Sequence, residues 1–424
     1  MTTHPPPGRR ALLVWGVAVA AYVVAVMNRS SLGVAALETA DRYGLSASFL
    51  ASLAVAQLVV YAALQIPVGV LLDRFGPRAL ICTGAALMAS GQLLVALTSV
   101  APGVLAGRVL IGAGDALTFV SVIRLVPAWF PSRRVPLMTQ LTGVIGQLGQ
   151  VLSAVPLVAV LHSAGWTAAF TGVAAVGVVA GAAVLAVVRD TPDAVLPPGS
   201  PAASPPPARL TGTGLRQVLA DPGSRLGFWV HFVSGFSSHV IVLLWGFSFF
   251  VEGEGRSHAE ASALLTLNVL ASVVVGPVLG ELTARRPDRR VRTVLGVAGC
   301  MAVGWLVVLV PGRPVPLVLL GAFVVLTAIG GPTSLIGFDV ARSTAPARRL
   351  GTSTGLVNTG GFVAALTTMF VVGVVLDHVA GADGRDLHSY RLALSVVVVP
   401  WVMGVTGVLV EARRTRRRYP GLAV

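Results

Sequence analysis

Twelve apolar stretches fill this chain from residue 11 to about residue 410, with short polar interruptions between them. In the first half they cover 11–37, 46–72, 79–99, 101–130, 136–161 and 166–188. In the second they cover 224–250, 258–281, 291–310, 313–341, 350–376 and 391–410. A helix needs roughly 20 mostly apolar residues to cross about 30 Å of hydrocarbon, and every stretch reaches that length. The pattern predicts an all-α integral membrane protein whose function rests in the few polar groups it keeps within the bilayer.

Composition strengthens that reading. Charged residues make up 11% of the chain and hydrophobic residues 55%, whereas soluble chains are roughly a quarter charged. Mean hydropathy is +0.83. A net charge of +14 would suit a nucleic-acid binder, but its distribution argues against one. All 31 basic residues are Arg, and 23 of them fall in the N-terminus, the even-numbered loops and the C-terminal tail. The opposite loops hold five, Arg42, Arg256, Arg313, Arg385 and Arg391, and Arg29, Arg108 and Arg124 fall within spans. This asymmetry predicts that both termini are cytoplasmic, and it makes the Arg413–Arg418 cluster a topology anchor beside anionic lipid rather than a nucleic-acid arm. Cys82 and Cys300 sit in apolar runs and read as buried, inert thiols. The first span resembles a signal peptide in outline, but eleven further spans follow without a clear cleavage site, so it is expected to stay.

The two halves repeat one plan. Residues 189–221 form the longest polar stretch, and their core at 197–212 is rich in Pro, Ser and Gly, as in a flexible linker. The expected organisation is therefore a six-helix bundle over 1–188, a cytoplasmic linker over 189–223, and a second six-helix bundle with a basic tail over 224–424. GVLLDRFGPR at 69–78 corresponds to GELTARRPDR at 280–289, and PSRR at 131–134 to PARR at 346–349. TGVIGQLG at 142–149 corresponds to TGLVNTGG at 354–361. Three pairs in one order at nearly one offset mark an internal repeat.

With these residues the chain resembles the major facilitator superfamily over essentially its whole length. The family's loop signature G-x-L-a-D-R-x-G-R-[KR] is matched by Gly69, Leu71, Asp73, Arg74, Gly76 and Arg78, with Pro77 in place of a basic residue. The resemblance implies two pseudo-symmetric six-helix bundles around a central cavity, rocking to open it to each side in turn. Independently of the family, Gly69 and Gly76 permit close approach and a tight turn. Asp73 can accept hydrogen bonds from a helix N-terminus in the other half, acting as a conformational latch. Arg74 and Arg78 can pair with Asp73, pair with lipid phosphate, or serve only as topology charges. In the second copy Ala284 stands at the Asp position.

Charged groups within spans are costly and usually line a path. Arg29 follows Asn28 in MNRSSLGVA of the first span. Here the chain is similar to the anion:cation symporter branch, carriers of sugar acids and carboxylates, whose first span carries a D-R-x-N-L-like signature. That resemblance implies that Arg29 faces substrate, where its planar fork suits a carboxylate. Asn28 replaces the branch's Asp. The branch's R-x-x-x-G-x-G-E-A segment is matched by Arg108, Gly112, Gly114, Asp115 and Ala116. Arg108 and Asp115 lie two turns apart on one stripe, and the pair is expected either to couple protons through Asp115 or to form a fixed ion pair. Arg124, nearer the cytoplasmic end, is expected to partner Asp73 or lipid phosphate.

His239 and His231, with Ser234, Ser237 and Ser238, polarise the seventh span, and Tyr61, Gln65 and Asn268 are further candidates for substrate contact. Asp339 and Arg342 form an i,i+3 pair read as structural or gating. Gly143, Gly146, Gly149, Gly355, Gly360 and Gly361 read as packing positions, while Gln147 and Asn358 within the same motifs remain able to reach substrate. The motif is faintly similar to that of nitrate carriers, but this chain lacks their Arg in the second and eighth spans. It also lacks the Gly-Pro pair of proton-driven drug exporters in the fifth span, where Pro156 follows Val155.

The sequence thus predicts a secondary carrier of a small organic anion, coupled to protons, with an exporter of drugs or amphiphilic metabolites as the alternative and a transporter-like sensor as a third reading. No nucleophile–base set, metal cluster or nucleotide loop is visible, so neither an enzyme nor a cofactor is expected. The expected partners are a small-molecule substrate, protons and membrane lipid, acting on a functional monomer. The Arg-only, Ala/Val/Gly-rich composition points to a GC-rich bacterial genome and a plasma membrane location.

Overall fold

The computed structural model describes residues 8–44, 47–192, 212–379 and 385–422, and those residues contain helices and connecting turns with no strand. Among the described residues, ten helical runs are long and apolar enough to cross a membrane. Two of them, Val55–Leu97 and Val135–Val187, are 43 and 53 residues long, about twice what one crossing needs. Each breaks once at a glycine held at positive φ: Gly76 (φ 79°, ψ 164°) and Gly165 (φ 81°, ψ 176°). Splitting both runs at these glycines turns ten into twelve, in agreement with the sequence pattern. Pro77 follows Gly76 directly, in the first turn of the third span, where a proline's missing N–H costs nothing and its fixed φ favours helix. That is a physical reason for Pro at a position where the signature has a basic residue.

The chain divides into two compact units: Met1–Leu215 with Pro346–Gly355, and Arg216–Ala345 with Leu356–Val424. The first thus holds spans one to six together with the first turn of the eleventh. Of the expected linker core, residues 197–211 lie outside the described residues, and Gly212 opens a short helix, Gly212–Ala220. Spans one, four, seven and ten are the most enclosed, burying 56, 78, 56 and 56% of their most apolar stretch against 28–44% for the rest.

Backbones approach closely where both partners lack a side chain. In the first unit Gly84 lies against the Gly114 carbonyl and Gly91 against that of Gly107, binding span three to span four. In the second, Gly227 and Gly337 meet reciprocally between spans seven and ten. A methyl group at Gly84 or Gly227 would stand 2.6 Å from the facing carbonyl oxygen, and such small-residue contacts drive helix association in lipid. The apolar cores include Trp166, Phe170, Leu53 and Met27 in the first unit and Phe236, Phe249, Phe250, Trp305, Phe323 and Tyr390 in the second.

Several boundaries differ from the apolar pattern. The first span stops at Val34 and a separate helix, Ala36–Tyr43, follows, because Ala35 leaves helical backbone (φ −105°, ψ 27°). The last helix runs Val398–Arg418, so the basic cluster continues the helix of the twelfth span. Wide π-helical turns interrupt the fifth span at Ser153–Leu157 and the seventh at Val240–Trp245 and Phe249–Gly253. In the fifth the cause is Pro156, whose ring cannot donate a hydrogen bond and crowds the preceding turn. Cys300, expected to be buried, is exposed on the ninth span, and Cys82 is half-buried with its thiol directed at the Gly181 carbonyl.

Candidate functional site

In the first unit, Asp115 lies on the fourth and most enclosed span and is fully buried. Its ion-pair partner is Arg29 on the first span, with Nη1 3.4 Å from Oδ2. The sequence expectation paired Asp115 with Arg108 on the same stripe; the structure turns Arg108 elsewhere. Its Nη2 donates to the Arg29 carbonyl at 2.8 Å and to the Gln57 amide oxygen, and its Nη1 reaches the Asn28 carbonyl and Ser31 Oγ at 3.5 Å. The reason is geometric: residues two turns apart share a stripe, but a long side chain reaches the neighbouring helix more readily than along its own axis. Arg108 therefore grips the backbone of the first span where Arg29 departs from it. Gln92 supports this grip by donating to Ser31 Oγ at 2.9 Å.

Neither oxygen of Asp115 accepts a hydrogen bond from a described residue. The carboxylate is held by charge alone, an arrangement far weaker than the bidentate, hydrogen-bonded form of an Arg–carboxylate pair. Arg29 keeps 23% of its side chain accessible whereas Asp115 keeps 1%. The guanidinium stands 6.0 Å from the Tyr61 ring, within cation–π range, and Tyr22 lies beside it. Among the sequence candidates, Arg29, Asn28, Tyr61, Arg108 and Asp115 thus come together. Gln65 is buried one turn further along, donating to the Tyr61 carbonyl at 3.0 Å.

A second cluster forms at the Asp73 end of the same unit. Asp73 accepts from the Gly351 N–H at 2.6 Å, the Thr352 N–H at 2.8 Å and the Thr352 hydroxyl at 2.6 Å. Those donors open the helix Leu350–Val379, so the carboxylate sits at a helix N-terminus, where the macrodipole favours it. Gly69 passes so close to Gly351 that a methyl group there would lie 2.6 Å from the Gly351 carbonyl oxygen. Arg124 donates to the Ala347 carbonyl at 3.2 Å and is electrostatically coupled to Asp73 and Asp190. Arg78 does not pair with Asp73: its N–H donates to Asp190 at 2.7 Å and its guanidinium to the Leu185 carbonyl. Arg74 lies over the Phe75 ring. Burial pushes the Asp190 carboxyl above its ordinary range, against the downward pull of the Arg78 N–H and the Arg78 and Arg124 charges.

In the second unit several candidates are bound into structure, while His231 Nδ1 and Ser234 Oγ are buried without a hydrogen bond from a described residue. Asn268 donates to the Val324 carbonyl at 2.7 Å and Thr327 Oγ1 at 3.2 Å and accepts from Ser238 at 3.1 Å, tying spans seven, eight and ten together. Ser237 accepts from the Trp305 indole at 3.1 Å. The His239 ring is hydrogen-bonded to the Gly235 carbonyl at 2.7 Å and lies edge-on to Phe362, while His231 is buried against Phe338. Asn358 is buried on the eleventh span. Asp339 and Arg342 pair at 2.9 Å as their spacing implies.

The sequence profile of the Major Facilitator Superfamily matches residues 18–369. The chain belongs to this superfamily. As a major facilitator protein it is a secondary transporter, and it moves a solute rather than transforming one. Over 399 residues it is 23% identical to the "Probable sulfoacetate transporter SauU" of Cupriavidus necator, covering 88% of each chain. Over 417 residues it is 25% identical to the "Probable galactarate/D-glucarate transporter GarP" of Escherichia coli K12, covering 89% of each. These relatives are organic-anion transporters, consistent with the branch that the first and fourth spans resemble. Among solved structures it is similar to the proton:xylose symporter XylE bound to 6-bromo-6-deoxy-D-glucose, with a TM-score of 0.70, 14% identity, and 95% and 96% of the two chains covered. That likeness establishes the major facilitator fold.

Three features of this transporter escaped the sequence reading. Gln57 was visible as a polar residue in an apolar run, but nothing local marked it as the partner of Arg108. Asp190 meets Arg78 across 112 positions, and Glu254 meets Arg391 across 137. No local spacing signals such pairs.

Proposed function

We propose that this transporter carries an organic anion together with protons, with Arg29 as the anion's ligand and Asp115 as the proton acceptor. The observation that carries the reading is the Arg29–Asp115 ion pair: 3.4 Å long, buried on the acid's side and accessible on the base's. While Asp115 is ionised it competes for the guanidinium. A proton on Asp115 removes that competitor and frees the planar fork of Arg29 to take a carboxylate or sulfonate bidentately. When the anion leaves, the ionised acid and Arg29 neutralise each other again, so the empty carrier is not left with an unpaired carboxylate in a low-dielectric interior. The galactarate, glucarate and sulfoacetate named for the two relatives are anions of the kind such a site would take.

Asp73 serves in this reading as the latch, holding the first turn of the eleventh span through three hydrogen bonds. The Arg distribution of the chain supports a plasma membrane orientation with both termini cytoplasmic.

The test is uptake of galactarate, D-glucarate and sulfoacetate into liposomes containing the purified protein, with and without an inward proton gradient. Uptake should rise with the gradient and vanish in Arg29→Ala and Arg29→Lys, since a lysine cannot supply the fork. Asp115→Asn should keep exchange of anion for anion and lose gradient-driven accumulation. Undiminished anion uptake by Arg29→Ala would overturn the assignment.

A further inference from the structure

The charges clustered at Asp115 do not balance. The cluster holds two guanidiniums, buried Arg108 and partly accessible Arg29, and one buried carboxylate, Asp115. The charge of Arg108 is permanent, because a guanidinium does not deprotonate in a protein. Its ligands are the Asn28 and Arg29 carbonyls, Ser31 and Gln57, all neutral, and among the described residues no carboxylate lies within ion-pair distance of it. The side chain nearest to supplying one in sequence is Asn28, fully buried, whose amide oxygen has no hydrogen-bond partner. The other ionisable groups facing Asp115 and Arg29 are the hydroxyls of Tyr22 on the first span and Tyr61 on the second, both uncharged at neutral pH. Arg124 on the same span lies nine residues further on, roughly 14 Å along the axis, and is already faced by Asp73 and Asp190.

The trio therefore carries one net positive charge with Asp115 ionised and two with it protonated. A site buried in a low-dielectric interior is most stable when occupied by the ligand that brings its charge to zero. A monoanion does so against the ionised acid, sharing the guanidinium of Arg29 with it, so its binding needs no proton although the competition weakens it. A dianion does so only once Asp115 has gained a proton. We infer that this transporter takes up one proton, on Asp115, for each dianion it carries and none for a monoanion. The inference rests on the anion-carrier reading above and adds the valence of the substrate that makes transport proton-coupled. The proton passes from water on the loading side to an Asp115 oxygen and returns to water on the other side. One negative charge therefore crosses per cycle with a dianion.

Two measurements on the purified full-length protein test this. The first is proton uptake in weakly buffered detergent solution on adding an aldarate, which has two carboxylates, or the aldonate of the same carbon chain, which has one. The expected result is one proton per aldarate bound and none per aldonate. The second is the pH dependence of each affinity: aldarate binding should weaken tenfold per pH unit above the titration of Asp115, and aldonate binding should stay flat. In Asn28→Asp, which adds a carboxyl of nearly the same shape beside the trio, the counts should rise to two and one. In Asp115→Asn the aldarate should bind without proton uptake. Two protons or none per aldarate in the unaltered protein, or a proton taken up with the aldonate, would overturn the inference while leaving the anion-carrier reading intact. If neither anion binds, that reading falls and the inference falls with it.

Discussion

Glu254 and Arg391, 137 residues apart in sequence, form a buried ion pair 3.0 Å long in the second unit. Arg391 also donates to the Pro311 and Arg313 carbonyls, and the second oxygen of Glu254 accepts from the Val315 N–H at 2.6 Å. The connections after spans seven and nine and the helix Leu387–Leu394 thus close around one pair of charges. Next to it, Tyr390 donates to Glu252 at 2.5 Å.

Breaking this pair from one side should destabilise the protein sharply. Glu254→Gln leaves a buried guanidinium without its counter-charge, a change worth about 3–5 kcal/mol. Thermal unfolding of the detergent-solubilised protein should show a large drop for Glu254→Gln and for Arg391→Leu. The double variant should lose less than the two singles added together, and strict additivity would mean that the charges do not interact.

The two helix-breaking glycines should respond differently to substitution. Gly165→Ala meets no neighbour within 4 Å, so its cost is conformational, about 1–3 kcal/mol for a side chain forced into that backbone region. Gly76→Ala bears the same strain and would also drive a methyl group into the Asp190 carboxylate. Its melting temperature should fall further than that of Gly165→Ala, and adding Asp190→Ala should recover part of the difference. Equal losses at the two sites would refute the role given to Asp190.

Asp73→Asn should loosen the start of the eleventh span. An amide keeps one acceptor oxygen where the carboxylate offers two, and hydrogen bonds to a charged group contribute about 1.5–3 kcal/mol each. Amide hydrogen exchange over residues 350–353 should accelerate strongly in the variant. Exchange indistinguishable from the unaltered protein would show that the contacts to Gly351 and Thr352 carry no energy.

Asn268→Leu should separate stability from binding. It removes hydrogen bonds to Val324, Thr327 and Ser238 from a buried position, which costs about 1–3 kcal/mol for each partner left unsatisfied. The melting temperature should drop, while anion affinity of the folded fraction stays within twofold. A tenfold loss of affinity would return Asn268 to the substrate contacts expected from sequence.

The architecture was legible because bilayer thickness fixes a span's length and composition, and because two related halves repeat their motifs at nearly one offset. Arg29 and Asp115 stood out for the same reason, since a charge inside a span is costly and rare. Their pairing was not legible. Spacing along one helix joined Asp115 to Arg108, whereas Arg108 instead binds the first span's carbonyls and Gln57, a choice that depends on how closely two helices pack. The partners of Asn268 were equally hidden: a polar residue read from the sequence as a candidate for substrate contact is held in this structure by three protein groups. The helices end at Val34 and Arg418, away from the ends of the apolar stretches, because hydropathy reports the solvent around a residue and not its backbone angles.

The wide turns of the seventh span have a consequence for comparing this chain with others. Each π turn accommodates an additional residue, so side chains beyond it are rotated by roughly 100° from the stripe set by the residues before it. His231 and Ser234 precede the turn at Val240–Trp245, and Ser248 follows it, so one helical wheel cannot display all three correctly. A cysteine-accessibility scan along 222–253 would record two periodic patterns out of phase with each other. Aligning this span with a relative that lacks the wide turn requires a one-residue gap inside the membrane, at a place where gaps are ordinarily forbidden.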